Sequence, residues 1–207
     1  ASEVNQLLDK LRGHWMYVPV VLSVFYGLRR SEVLGLQWGS VDFENKSITI
    51  QHTRIYGDSD GTDAVIERDI LKRKSSYRTL PIPETVWILL YNLKTVRYGE
   101  APAPVDAYVC LNREGEPVAP NYFTQCFKQF LRDNDLREIR LHDLRHTCAS
   151  LLLKNGVPMK DIQEWLGHSS YNTTANIYAH LDTSSKNTSA SKMSNVVIIE
   201  PGISTSV

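Results

Sequence analysis

Apolar positions recur along this chain with two different periods, and the change from one to the other sketches the fold. The first residues, ASEVNQLLDKLRG, already read as a helix, as in a piece of a longer chain. From Trp15 to Tyr26 the sequence WMYVPVVLSVFY is almost wholly apolar, which predicts a core helix; Pro19 suits its start and Gly27 its end. GLRRSEVLGLQW follows and predicts a second short helix, capped near Ser31 and burying Val33, Leu34 and Leu36. Arg29 and Glu32 then lie at a junction between two apolar segments.

At Ser47 the period shortens. SITIQH alternates like a strand, GDSDGTD (57–63) reads as a polar turn or loop, and Val65 to Leu71 and Tyr77 to Ile82 read as two further strands joined by KRKSS. The expectation is a small three-stranded antiparallel sheet whose hairpin tip carries Lys72, Arg73 and Lys74, with Arg78 just after. Such a cluster reads as a solvated turn or as a finger that touches phosphates. Helical periodicity returns at Pro83 to Tyr98, with Val86, Leu89, Leu90 and Leu93 on one face. Tyr108 to Leu111 is a short strand candidate, and Asn121 to Arg132 a helix with Phe123, Phe127 and Phe130 or Leu131 inward and Cys126 as a small core residue.

The stretch from Leu141 to Leu181 splits into three helices. The first, Leu141 to Lys154, ends at Asn155-Gly156 and buries Leu141, Leu144, Cys148, Leu151 and Leu152. His142 and Arg145 fall side by side on the adjoining face, because residues three apart are neighbours on a helix. The second runs from Pro158 to Gly167 over Ile162, Trp165 and Leu166, and His168 follows at once. The third opens at Asn172 or Thr173 and carries Ile177 and Tyr178. After Leu181 the composition turns polar and rich in Ser and Thr, broken only by VVIIE. The expected architecture is therefore mainly α with a small three-stranded antiparallel β-sheet, as one domain over residues 1–182 and a tail over 183–207 that docks on its own domain or on a neighbour.

Composition narrows the function. In 207 residues, 23 Lys plus Arg balance 23 Asp plus Glu, which argues against nucleic-acid binding by the whole surface and leaves room for a local basic groove. Three cysteines without paired spacing argue against a disulfide framework and fit a reducing cytosol. No apolar run approaches the roughly 20 residues of a membrane span, and no signal-peptide pattern opens the chain.

Two arginines, a lysine, two histidines and a tyrosine suit one chemistry. Guanidiniums grip phosphate oxygens in bidentate fashion. Histidines donate hydrogen bonds or move protons, a tyrosine can attack phosphorus, and a lysine of lowered pKa can protonate a departing alkoxide. Together they describe phosphoryl transfer through a covalent phosphotyrosine, with the arginines in place of a metal. The rival is a zinc site on His142 and His146, four apart. It lacks the Glu of HExxH, since the sequence is HDLRH, and it places Arg145 in the same turn.

The blocks GLRRSE, KRKSSYRTLPIP, HDLRH, LGHSS and NTTANIYAH, in that order from about Trp15 to Leu181, resemble the tyrosine recombinase family, most closely phage and conjugative-transposon integrases. The resemblance implies that family's catalytic-domain fold and, block by block, a catalytic set of Arg29, His142, Arg145, His168 and the nucleophile Tyr178. The catalytic lysine is Lys72 or Lys74, with Lys72 the usual match. Arg73, Lys74 and Arg78 read as DNA-phosphate contacts, Glu32 and Asp143 as supports that orient the arginines or His142, Arg30 as structural or surface, and His146 as structural. It also implies cleavage and rejoining of double-stranded DNA without cofactor or metal, by four protomers on the DNA, in the cytoplasm of a bacterium or phage host. The tail segment Ser194 to Glu200 is the candidate for exchange between protomers; docking in cis and disorder are its alternatives. The family's N-terminal clamp domain has no counterpart in these residues, which implies weak DNA binding by this stretch alone. A type IB topoisomerase and an inactive DNA-binding relative share the pattern in part.

Overall fold

A computed structural model gives the structure of the chain and describes residues 2–59, 62–69 and 77–167. Among the described residues, seven α-helices and five strands follow in order: α1 (Ser2–Leu11), α2 (Tyr17–Tyr26), α3 (Arg30–Leu34), β1 (Val41–Asp42), β2 (Ser47–Ile50), β3 (His52–Ser59), β4 (Thr62–Asp69), β5 (Arg78–Pro81), α4 (Glu84–Tyr98), α5 (Pro120–Asp133), α6 (Leu141–Lys154) and α7 (Met159–Leu166).

Helix α2 is the hub. It is apolar on every side, so it is stable only when surrounded, and α1, α3 and α6 all pack against it. Leu22 and Tyr26 are fully buried, and Phe123 and Phe127 of α5 join the same core. Tyr26 is positioned at both ends of its ring: it stacks on Trp165 with centroids 5.8 Å apart, and its hydroxyl donates to the Pro81 carbonyl at 3.2 Å. Gly27 ends the helix in the left-handed region (φ 59°), which a residue with a Cβ enters only at a cost. A smaller cluster of Cys148, Ala149, Ile162 and Leu166 seals α6 to α7.

The three-stranded antiparallel sheet exists, but from different strands than the sequence pattern suggested. Its order is β1-β2-β5, with Val41 opposite Ile48 and Ile50 opposite Arg78. Of the stretch over Val65 to Leu71, the described residues, up to Asp69, do not pair with β5. Its strand β4 pairs with β3 as a separate two-stranded ribbon, in register from His52↔Asp69 to Ser59↔Thr62. Much of GDSDGTD is therefore strand rather than loop, and SITIQH divides at Gln51 into the whole of β2 and the first residue of β3. Alternation identifies a strand but carries no information on which strand it pairs with. Strand β1 was not foreseen; the Asp42 carboxylate turns the chain back after it by accepting the amides of Glu44 and Asn45 at 3.0 and 2.9 Å. Tyr108 to Leu111 forms isolated bridges, Tyr108 to Gln37 and Leu111 to Pro117, instead of a strand.

The helices match expectation closely. α6 spans Leu141–Lys154 as the periodicity indicated, and α7 lies between Pro158 and Gly167. In α6 the buried residues are Leu141, Leu144, Arg145, Cys148 and Ala149, so the inward face turns toward Arg145, and Leu151 and Leu152 are only half-buried. The third helix of this region, with Tyr178, and the tail both lie outside the described residues.

Candidate active site

The site is assembled where α2 ends, α3 begins and α7 ends. Arg29 is the residue before α3, extended at φ −68° and ψ 153°. Its amide donates to Glu32 Oε2 at 2.9 Å and its Nη1 to Glu32 Oε1 at 2.6 Å. The same carboxylate accepts Arg78 Nη2 at 3.0 Å. Glu32 is 2% exposed, so two guanidiniums compensate one buried charge. Burial alone would raise the Glu32 pKa. The charges of Arg78 and Arg29 and their hydrogen bonds outweigh it and hold the carboxyl below its ordinary value.

Arg145 enters from α6 and is 2% exposed. Its Nη1 donates to the Gly27 carbonyl and its Nη2 to the Leu166 carbonyl at 2.7 Å. Burial pushes its pKa down to about 9, with the neighbouring Arg29 and Arg78 adding to the fall and Glu32 opposing it, so the guanidinium remains charged at neutral pH.

All three arginines meet the end of α7. A helix leaves its last carbonyls without partners inside the helix, at the negative end of its dipole. Here the Trp165 carbonyl accepts Arg78 Nε at 2.9 Å, the Leu166 carbonyl accepts Arg145, and the Gly167 carbonyl accepts Arg29 Nη2 at 3.3 Å. Gly167 closes the helix at φ 67°, and His168 is the next residue.

His142 is exposed in the first turn of α6, with its ring edge-to-face on His146 at 4.9 Å. Burial of part of the ring, then the charges of His146, Arg145 and Arg140, lower its pKa, against an opposing pull from Asp143. Asp143 acts on the helix start: it accepts the Arg140 amide at 2.8 Å and Arg140 Nη2 at 2.8 Å. Among the described residues, no group of three His, Cys, Asp or Glu is placed to hold a metal ion.

Of the residues singled out in the sequence, the structure brings together Arg29, Glu32 and Arg145 and places His142 and Asp143 on the first turn of the helix that carries Arg145. Lys72, Arg73, Lys74, His168 and Tyr178 lie outside the described residues. Arg78, expected on the hairpin surface, is instead 8% exposed and bonded to Glu32 and Trp165. The signal was available in strand β5, where Arg78 shares the inward side with the buried Leu80. Of the two readings of Arg30, structural or surface, the contacts favour the first: it donates to Thr124 Oγ1 at 2.7 Å.

Residues 1–185 match the profile of the phage integrase family. The chain is 29% identical to a XerC-like tyrosine recombinase of Caldanaerobacter subterraneus, covering 95% of this chain and 54% of that protein. It is 30% identical to the ICEBs1 integrase of Bacillus subtilis, covering 91% of this chain and 50% of that one. The chain thus spans about half the length of these curated relatives. Among solved structures, the Tn1549 transposon integrase in complex with transposon right end DNA superposes with a TM-score of 0.76 at 25% identity, covering 94% of this chain and 65% of that one. XerA recombinase shares the fold, with a TM-score of 0.68 at 20% identity over 93% of this chain and 61% of that one.

Proposed function

This chain belongs to the phage integrase family, and on that premise we infer that it is the catalytic domain of a site-specific DNA recombinase that integrates or excises a mobile element. The observation that carries the reading is the convergence of Arg29 and Arg145 on adjacent carbonyls at the end of α7, immediately before His168. Two guanidiniums, 37% exposed and buried respectively, give one face of a phosphate site in which negative charge developing on phosphorus is stabilised without a metal.

In this reading Tyr178 attacks the scissile phosphate, forming a 3′-phosphotyrosyl bond as the bond to the 5′-oxygen breaks. Lys72 gives the leaving oxygen its proton. His142 and His168 hydrogen-bond the phosphate or relay the tyrosine proton. A 5′-hydroxyl of the partner strand then attacks phosphorus and releases Tyr178, so the phosphodiester count is conserved and no nucleotide cofactor is consumed. Arg73 and Lys74 contact the DNA backbone. Residues 1–182 form the catalytic domain. The tail from 183 to 207 docks on a neighbouring protomer in a tetramer on duplex DNA, in the bacterial cytoplasm. Among the described residues no helix is long and apolar enough to cross a membrane.

The test is a nicked suicide substrate carrying the element's end. The expected result is a covalent protein–DNA adduct that survives denaturant, forms in the presence of chelator and disappears in Tyr178→Phe. Absence of any adduct, with a DNA-binding domain fused at the N-terminus, would overturn the reading.

A further inference from the structure

Arg78 differs from the other two arginines at the end of α7. Arg29 keeps 37% of its side chain exposed, whereas Arg78 keeps 7% and is held on both sides: Nε on the Trp165 carbonyl, Nη1 and Nη2 on Glu32. It therefore ties three elements at once, the strand β5 that carries it, the carboxylate that orients Arg29, and the last turn of α7.

A buried Arg–carboxylate pair contributes little net stability, because desolvation offsets most of the attraction. The fork geometry contributes placement instead, since a guanidinium fixes two partners at set angles while an ammonium is a point charge. Placement matters at this point of the chain. The next residue after the clamped carbonyls is His168, and the segment leading to Tyr178 starts here. Removal of Arg78 would leave Glu32 to Arg29 alone and free the Trp165 carbonyl, so both Arg29 and the exit of α7 would lose their reference point.

We propose that Arg78 is a positioning residue for strand cleavage, coupling Glu32 and Arg29 to the C-terminal end of α7 so that His168 and the tyrosine segment leave from a fixed point. The proposal rests on the recombinase reading for its catalytic consequence and on the observed contacts for its structural one.

The decisive variant is Arg78→Lys, which keeps the positive charge beside Glu32 and loses the fork; Arg78→Gln serves as a second variant that keeps a neutral donor. Three quantities are measured on each: single-turnover cleavage of the suicide substrate at saturating DNA, the dissociation constant for the same DNA, and hydrogen exchange of the amides from 163 to 167. The expected outcome is cleavage slower by roughly 10- to 100-fold, the range for misplaced or outer supporting groups. DNA affinity should be unchanged, and exchange at the end of α7 should be faster. A cleavage defect that excess DNA repairs would make Arg78 a phosphate contact and overturn the proposal, as would unchanged cleavage or unchanged exchange in both variants. If the wild-type chain forms no Tyr178-dependent adduct, the recombinase reading fails, while the exchange measurement still decides the clamp.

Discussion

Arg145 holds the carbonyl of Gly27, so the residue that ends the central helix also anchors one of the two arginines assigned to the phosphate. The glycine is required there twice over. Its backbone is left-handed, and a Cβ at this position would press on Leu166 Cδ2 and sit 3.4 Å from Cys148.

Gly27→Ala should therefore destabilise the fold by about 1–3 kcal/mol, the cost of holding a non-glycine residue in a strained conformation. Chemical denaturation measures this directly. Because the Gly27 carbonyl moves with its backbone, cleavage should fall beyond what the lost folded fraction explains. Stability equal to that of the wild type would show that α2 ends without strain in the variant.

Glu32→Gln keeps the shape of the side chain and removes the charge between Arg29 and Arg78. Leaving the buried Arg78 guanidinium uncompensated costs about 3–5 kcal/mol. The pH dependence gives an independent check. The Glu32 pKa is lower in the folded state than its ordinary 4.5, so the folded chain binds fewer protons than the unfolded chain in acid. Its contribution is complete above that ordinary value and disappears as pH falls through the lower folded value. Unfolding free energy should thus fall more steeply with acid in the wild type than in Glu32→Gln. Parallel curves would exclude a charged, paired Glu32.

Helix positions were legible because their signals are local. Asn155-Gly156 stops α6, and Pro158 and Gly167 bracket α7, within a few residues of the apolar stripe each encloses. The pairing of β4 with β3 was not legible, because alternation is the same for either partner and the choice is made by long-range contacts. The burial of Arg78 was masked by the basic run that precedes it, although it shares the inward side of β5 with Leu80. The Arg29–Glu32 contact was legible in outline, since the residues lie three apart across a helix start. Its tie to Trp165 through Arg78 joins segments distant in sequence and could come only from the fold.

Lys72 and Lys74 can be separated by the leaving group. A substrate with a 5′-thiol leaving group departs without needing a proton, so a variant lacking the general acid should cleave it nearly as fast as the wild type does. Rescue is expected for Lys72→Ala and not for Lys74→Ala. Rescue of Lys74→Ala alone would transfer the role.

His142 and His146 share one turn of α6 with rings 4.9 Å apart, so His146 is one of the groups that bear on the titration of His142. Burial, then the electrostatic influence of His146 and the charges of Arg145 and Arg140, lower its pKa from 6.5, which favours the neutral imidazole with one nitrogen able to accept a proton. A proton titration followed by NMR on the imidazole C–H should place its midpoint below 6.5. His146→Asn removes one of the charges and should move that midpoint upward. The stability consequence has the same sign. A lowered folded pKa means the His142 contribution is complete above 6.5 and is lost as pH falls through the folded value, because the unfolded chain takes the proton first. A midpoint at or above 6.5, or one indifferent to His146→Asn, would remove the neutral His142 from the mechanism and leave it a charged phosphate ligand.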